Sequence, residues 1–166
     1  MVVNWKGEMN DEFLEQVIEF ANTVDKKTHV DLYFCTNGGY TYIAEIMTKL
    51  LSPYKNLKLF LYDDISSSGL YFTLLLGAQV EIIDRFLTSV IHLPYMDIST
   101  TVTGKVRRKI DKTSMLESEF PWMSVLSSYL TTSEFEQVKD GEDVFLTYDR
   151  LKEIYEKANS KKGRKV

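Results

Sequence analysis

The sequence predicts an α/β domain built from repeated βαβ units around a mostly parallel sheet. Three observations carry this. Runs rich in β-formers alternate with segments whose apolar residues recur at helical spacing. The runs are nearly continuous in apolar character, as strands buried on both faces of a parallel sheet are. Polar turn residues gather just past several of them, at the sheet edge where such folds bind ligands.

The first strand is expected at residues 2–6. Asn10 and Asp11 then open a helix in which Phe13, Leu14, Val17, Ile18, Ala21 and Val24 share one face. Residues 30–35 read as an interior strand that stops at Thr36-Asn37-Gly38-Gly39. Ile43, Ile46, Met47, Leu50 and Leu51 make the next helical face, ended by Ser52-Pro53. A second buried strand follows at 57–62, then a turn at 63–69, an apolar helix at 70–76, and strands at 80–84 and 88–92. From Tyr95 the character changes. Residues 105–112 are basic, 120–130 apolar and aromatic, and Thr131-Thr132-Ser133-Glu134 has the form of a capped helix start. Residues 141–147 read as a turn and a short extended piece, and 148–158 as a last helix. The chain of 166 residues is taken as one domain over 1–159 with a basic, disordered tail at 160–166.

Composition narrows the function classes. At this length folding removes roughly 70% of the unfolded surface from water, so an apolar core suffices to hold the fold. Cys35 is the single cysteine and cannot form an internal bridge; with only His29 and His92 beside it, no zinc-ligand cluster can be built. No metal or cofactor is expected. Twenty basic against 24 acidic residues give a net charge of -4, which offers no general attraction for nucleic acid or an anionic membrane. The basic stretches at 105–109 and 161–165 read as solvated faces. Without a signal peptide or an apolar run of roughly 20 residues, the expected compartment is the cytoplasm.

Gly38-Gly39, the serines 66–68 and His92 each lie just past the carboxyl end of an expected strand, so three segments bring polar groups to one edge. Singly, each has a bland reading: a tight turn, a helix cap, a structural histidine. Their order and spacing resemble the proteolytic subunit of Clp proteases, serine peptidases of the ClpP/crotonase fold. Residues 32–39 are similar to the family's strand ending in Ser-Pro-Gly-Gly. Ser67-Ser68-Gly69, with the stretch to Leu76-Gly77-Ala78, resembles the nucleophile motif. Val90-Ile91-His92-Leu93-Pro94 resembles the catalytic histidine segment, and Asp143-Val144-Phe145-Leu146-Thr147 the segment with the triad aspartate.

The resemblance spans residues 5–155 and implies Ser68 as nucleophile, His92 as base and Asp143 as its orienting carboxylate. It implies the backbone N–H groups of Gly39 and Gly69 as oxyanion donors. Counting from Gly39 and back from Gly77-Ala78 selects Ser68; aligning Gly69 with the family's glycine selects Ser67. The implied chemistry is coherent, because a serine hydroxyl needs an adjacent base, the base needs a fixed tautomer, and the oxyanion needs preorganised donors. The implied substrate is a peptide or unfolded protein, and the implied assembly a homo-oligomer paired through a helical handle at 103–130.

Departures from the family pattern are specific. Asn37 replaces a proline, and the Ser68–His92 spacing is one residue short, which implies a deletion near Phe86-Leu87. Asp63-Asp64 replaces small neutral residues, either as a solvated turn or, if near His92, as carboxylates that would favour its charged form. The sequence contains no counterpart of the family's pore-lining amino-terminal segment, so the resemblance lends no support to an ATPase partner. Two rival functions stand beside it, a catalytically inactive scaffold of this fold and a crotonase-type enzyme acting on an acyl-CoA, a branch with similar backbone oxyanion donors. Neither needs Ser, His and Asp together.

Overall fold

The computed structural model describes residues 1–93, 95–100, 104–109 and 121–162, with only the backbone at 95–100, 104–109 and 161–162. They form two compact units, Met1–Val90 with Phe145–Val166, and Ile91–Val144.

In the first unit the elements run β1 (Val2–Lys6), α1 (Asp11–Thr23), β2 (Val30–Thr36), α2 (Thr41–Leu51), β3 (Leu57–Ser66), α3 (Ser67–Leu76) and β4 (Gln79–Ile82). Strand β5 (Ser89–Ile91) and strand β8 (Val144–Leu146) complete one sheet of order β1-β2-β3-β5-β8, with β4 also on β3. The β1–β2, β2–β3, β3–β4 and β3–β5 pairings are parallel. Asn10 caps α1 by accepting from the Phe13 N–H at 3.0 Å, as its sequence position suggests.

Strands β1, β2 and β3 are laid down side by side in one direction, so right-handed crossovers carry α1 and α2 over the same face. The aromatic core records this. Phe34 of β2 meets Phe13 of α1 at 6.3 Å and Phe72 of α3 at 5.1 Å, and Trp5 of β1 lies edge-on to Phe13 and Phe20. Leu32, Leu59 and Leu61 complete the buried layer. The opposite face carries Tyr33 stacked on Phe60 at 5.0 Å, Lys58 over the Phe60 ring, and Tyr62 bonded to Asn4, all only half-buried or exposed. Burial of these strands on both faces is thus corrected. Aromatic side chains on the outer face gave the strands their continuous apolar reading.

A second correction concerns β3. It runs to Ser66 where a turn was expected at 63–69, and α3 starts at Ser67 instead of 70. The pairing passes from Phe34↔Leu61 to Thr36↔Ile65, so β3 carries two extra residues in a bulge that holds the Asp63-Asp64 pair. Asp63 is bonded to Lys6 at 2.9 Å, and Asp64 accepts from the Thr88 N–H and hydroxyl at 2.8 and 3.1 Å. Both carboxylates are exposed and have structural partners, as the solvated reading requires. Beyond the bulge, β3 pairs with β5 through Ile65↔Ser89 and Ser66↔Val90. Helix α6 (Tyr148–Lys162) runs past the expected 158, and its buried Tyr155 hydroxyl lies 2.7 Å from that of Thr73 on α3.

In the second unit, β6 (Tyr95–Thr100) and β7 (Gly104–Lys109) form an antiparallel pair. The expected helical handle at 103–130 is therefore strand at its start and helix α4 (Pro121–Ser127) near its end; residues 110–120 lie outside the described residues. The β-formers Tyr95, Ile98, Thr100 and Val106 favour the strands, and Pro121 opens α4 at a position where no N–H is needed. Within the aromatic stretch at 120–130, Trp122 is 3% exposed and belongs to the core with Met123 and Leu126. Helix α5 (Thr132–Lys139) begins with the expected capping box between Thr131 and Glu134. No helix among the described residues is long and apolar enough to cross a membrane.

Candidate active site

The carboxyl ends of β2 and β3 are joined by close contacts between hydroxyls and glycines. Beyond Thr36 the chain turns through Gly38 and Gly39, whose φ angles of +120° and +135° favour glycine. The turn is held from the side by Met9: its N–H donates to the Gly38 carbonyl at 2.6 Å, and its carbonyl accepts from the Tyr40 N–H at 2.9 Å. This one-residue parallel bridge uses groups on either side of Gly39 and turns the Gly39 amide away from Met9. A Cβ on Gly39 would run into the Met9 backbone.

Thr36 organises the same turn from within. Its hydroxyl, 1% exposed as a residue, accepts from the Gly38 N–H and donates to the Gly38 carbonyl, each at 3.1 Å. Its methyl group lies where a Cβ on Gly69 would have to go.

Gly69 is in the first turn of α3, where backbone N–H groups have no partner within the helix. Ser66 holds the N-cap position with extended backbone, yet its side chain does not cap. Its hydroxyl instead lies 3.3 Å from that of Ser68. The two adjacent serines therefore face different ways. Ser67 donates to the Val90 carbonyl of β5 at 3.1 Å, whereas the Ser68 hydroxyl lies 3.8 Å from where a Gly38 Cβ would stand. All three serines are buried at 5–9% exposure. The positive end of the α3 dipole and its first-turn amides meet at Ser68 and the glycine turn.

His92 and Asp143 lie in the second unit. His92 follows β5, is half-buried, and has Nδ1 2.7 Å from the Leu93 carbonyl. A carbonyl only accepts, so Nδ1 carries a proton in this contact. Asp143 is exposed, one residue before β8. The turn that presents it begins at Gly141 (φ +81°), which ends α5 by donating to the Val138 carbonyl at 2.9 Å.

Within the first unit the structure thus brings Ser68, Gly69 and the Gly38-Gly39 turn together. Sequence reasoning placed Ser66 at this edge without its contact to Ser68, and it missed the roles of Thr36 and Met9. Thr36 had a faint signal as a β-branched hydroxyl residue two positions before a glycine; Met9 had none, because its contact is made by backbone.

Neither a protein-family model nor a curated protein matches the sequence. Solved structures do resemble the chain. The ClpP protease catalytic domain from Plasmodium falciparum superposes with a TM-score of 0.61 at 14% identity, over 92% of this chain and 80% of that one. A mutant of the 1510-N membrane-bound stomatin-specific protease gives 0.59 at 13% identity, over 90% of this chain and 72% of that one. The mixed α/β architecture and its mostly parallel sheet are shared with these structures, and the chain has the ClpP-like fold.

Proposed function

We propose that the chain is a serine peptidase that cleaves peptide bonds by acyl transfer, within a homo-oligomer. The observation that carries this reading is the buried Ser68 hydroxyl at the start of α3, beside the Gly38-Gly39 turn and next to the Gly69 amide. The names of both similar structures, a ClpP protease domain and a stomatin-specific protease, support it further.

In this reading the Ser68 oxygen attacks the scissile carbonyl carbon, and Nε2 of His92 takes the hydroxyl proton. The carbonyl oxygen becomes an anion held by the Gly39 and Gly69 amides, donors worth about 2.7–4 kcal/mol each. Collapse expels the amine, which receives the proton from His92 and leaves an acyl ester on Ser68. Water, deprotonated by His92, then releases the acid and restores the serine. Asp143 serves as the countercharge to the imidazolium. Ser67 is a weaker candidate because its hydroxyl is committed to the Val90 carbonyl.

A second reading, a catalytically inactive scaffold, is favoured by the exposure of Asp143, since a carboxylate in water orients an imidazole weakly. Labelling with a fluorophosphonate probe separates the two. The peptidase is expected to label, to keep labelling as Ser67→Ala, and to lose it as Ser68→Ala and His92→Ala. An unlabelled wild-type oligomer, with size checked by light scattering, would establish the scaffold instead.

A further inference from the structure

We propose that Thr36 is a positioning residue that sets the separation of the two oxyanion donors, its hydroxyl governing one and its methyl group the other. The inference rests on the peptidase reading and deepens it. The two donors come from segments far apart in sequence, the turn after β2 and the first turn of α3, so something must fix the gap between them. Thr36 touches both. Its Oγ1 closes on the Gly38 N–H and carbonyl at 3.1 Å each, which leaves the following peptide, that of Gly39, with little freedom to rotate. Its Cγ2 abuts Gly69 so closely that no Cβ fits between them.

The side chain itself is well anchored. Thr36 is 1% exposed and paired with Ile65 across the bulge that ends the regular β2–β3 ladder. The Gly38 carbonyl that it binds is also held by the Met9 N–H at 2.6 Å, so the turn is clamped from two sides. Both groups branch from one Cβ whose χ1 is restricted, which ties the hydroxyl and methyl positions together. Serine would keep the clasp and lose the spacer; valine would keep the spacer and lose the clasp.

The test compares Thr36→Val, Thr36→Ser and wild type on a fluorogenic peptide, at a temperature where each is folded by circular dichroism. A shift of about 1 Å in a donor costs on the order of 100-fold in rate. Thr36→Val is expected to lower kcat by about 10- to 100-fold with KM within about twofold, because the donors act on the transition state. Thr36→Ser should restore most of that loss. The spacer is read by stability: Gly69→Ala should lower Tm by roughly 5–10 °C, and combining it with Thr36→Ser should recover more than half of that shift.

A Thr36→Val enzyme with kcat within about threefold of wild type would overturn the clasp, and additive Tm shifts in the double variant would overturn the spacer. A wild type that neither labels nor cleaves would overturn the peptidase reading and this inference with it. That failure shows in the wild type, whereas failure of the inference alone shows only in the variants.

Discussion

At the carboxyl ends of β2 and β3 a single carbon added to Gly39 or Gly69 meets the Met9 backbone or the Thr36 methyl. At the amino ends of the same strands His29, Lys55, Asn56 and Lys58 line an open cavity of about 600 Å³. The two ends share strands, helices and core, yet one is close-packed around small polar groups and the other is solvated. The difference teaches where substitution is tolerated. Parallel strands deliver backbone amides and turns to their carboxyl edge, and in this chain glycines and hydroxyls fill that edge; the amino edge only has to close loops.

The sharpest way to break the comparison is a matched pair of substitutions. Gly39→Ala forces a φ of +135° on a residue with a Cβ and drives that carbon into main chain that cannot swing aside. Strain and overpacking together should cost about 3 kcal/mol. Lys55→Ala, on an exposed residue at the amino end whose ammonium group bonds only the Ser52 carbonyl among the described residues, should stay within about 0.5 kcal/mol. Urea unfolding of both variants measures this. Equal losses would mean that the carboxyl end is no more constrained than the other.

A smaller effect tests how firmly α3, which carries Ser68, is fixed from behind. The Thr73 hydroxyl donates to the Leu70 carbonyl at 2.9 Å, so in its 2.7 Å contact with Tyr155 the phenol must be the donor. Full burial raises the phenol pKa well above its ordinary value, so the proton stays in place across the working range. Tyr155→Phe removes one accepted bond and leaves Thr73 its own donation, so the loss should be about 1 kcal/mol. Thermal unfolding reads it directly. A loss above about 3 kcal/mol would show that Tyr155 organises more than this helix contact.

The fold was largely legible because its signals are local: helical periodicity at 13–24 and 43–51, short β-rich runs, and the caps at Asn10 and Thr131. The serines, the glycine turn and the histidine could also be placed at strand ends from sequence. What escaped was set by other elements. Which face the helices cover follows from strand order, so the half-exposed Tyr33 and Phe60 read as core. Asp63-Asp64 read as a turn because charge signals solvent, and a bulge in a strand offers the same exposure. The expected handle at 103–130 was a family expectation, and at its start the pairing of β7 with β6 took precedence. Thr36 left only a faint signal, for a different reason. Its importance lies in two contacts with glycines, and a glycine records in sequence only that space is short, without saying what fills it.

The bulge itself supplies the smallest and most specific test of the crowded end. Lys6, at the end of β1, and Asp63 hold each other charged: the carboxylate and the Lys6 ammonium form a hydrogen-bonded pair that lowers the Asp63 pKa below its ordinary 3.8 and raises that of Lys6 above 10.5. A depressed carboxyl stabilises above its unfolded value and loses that contribution as pH falls through the folded one. A raised ammonium stabilises below its unfolded value and loses it as pH rises through the folded one. The pair therefore acts between about pH 4 and pH 10, and because both groups are exposed its effect is small and screened by salt. Comparing wild type with Lys6→Met across pH should show a slight Tm difference near pH 7 in low salt. That difference should vanish below pH 3 and in 1 M salt. If it persisted unchanged at both extremes, the bulge would be held by the packing of its backbone and the Thr88 contacts to Asp64, with the ion pair a bystander on its surface.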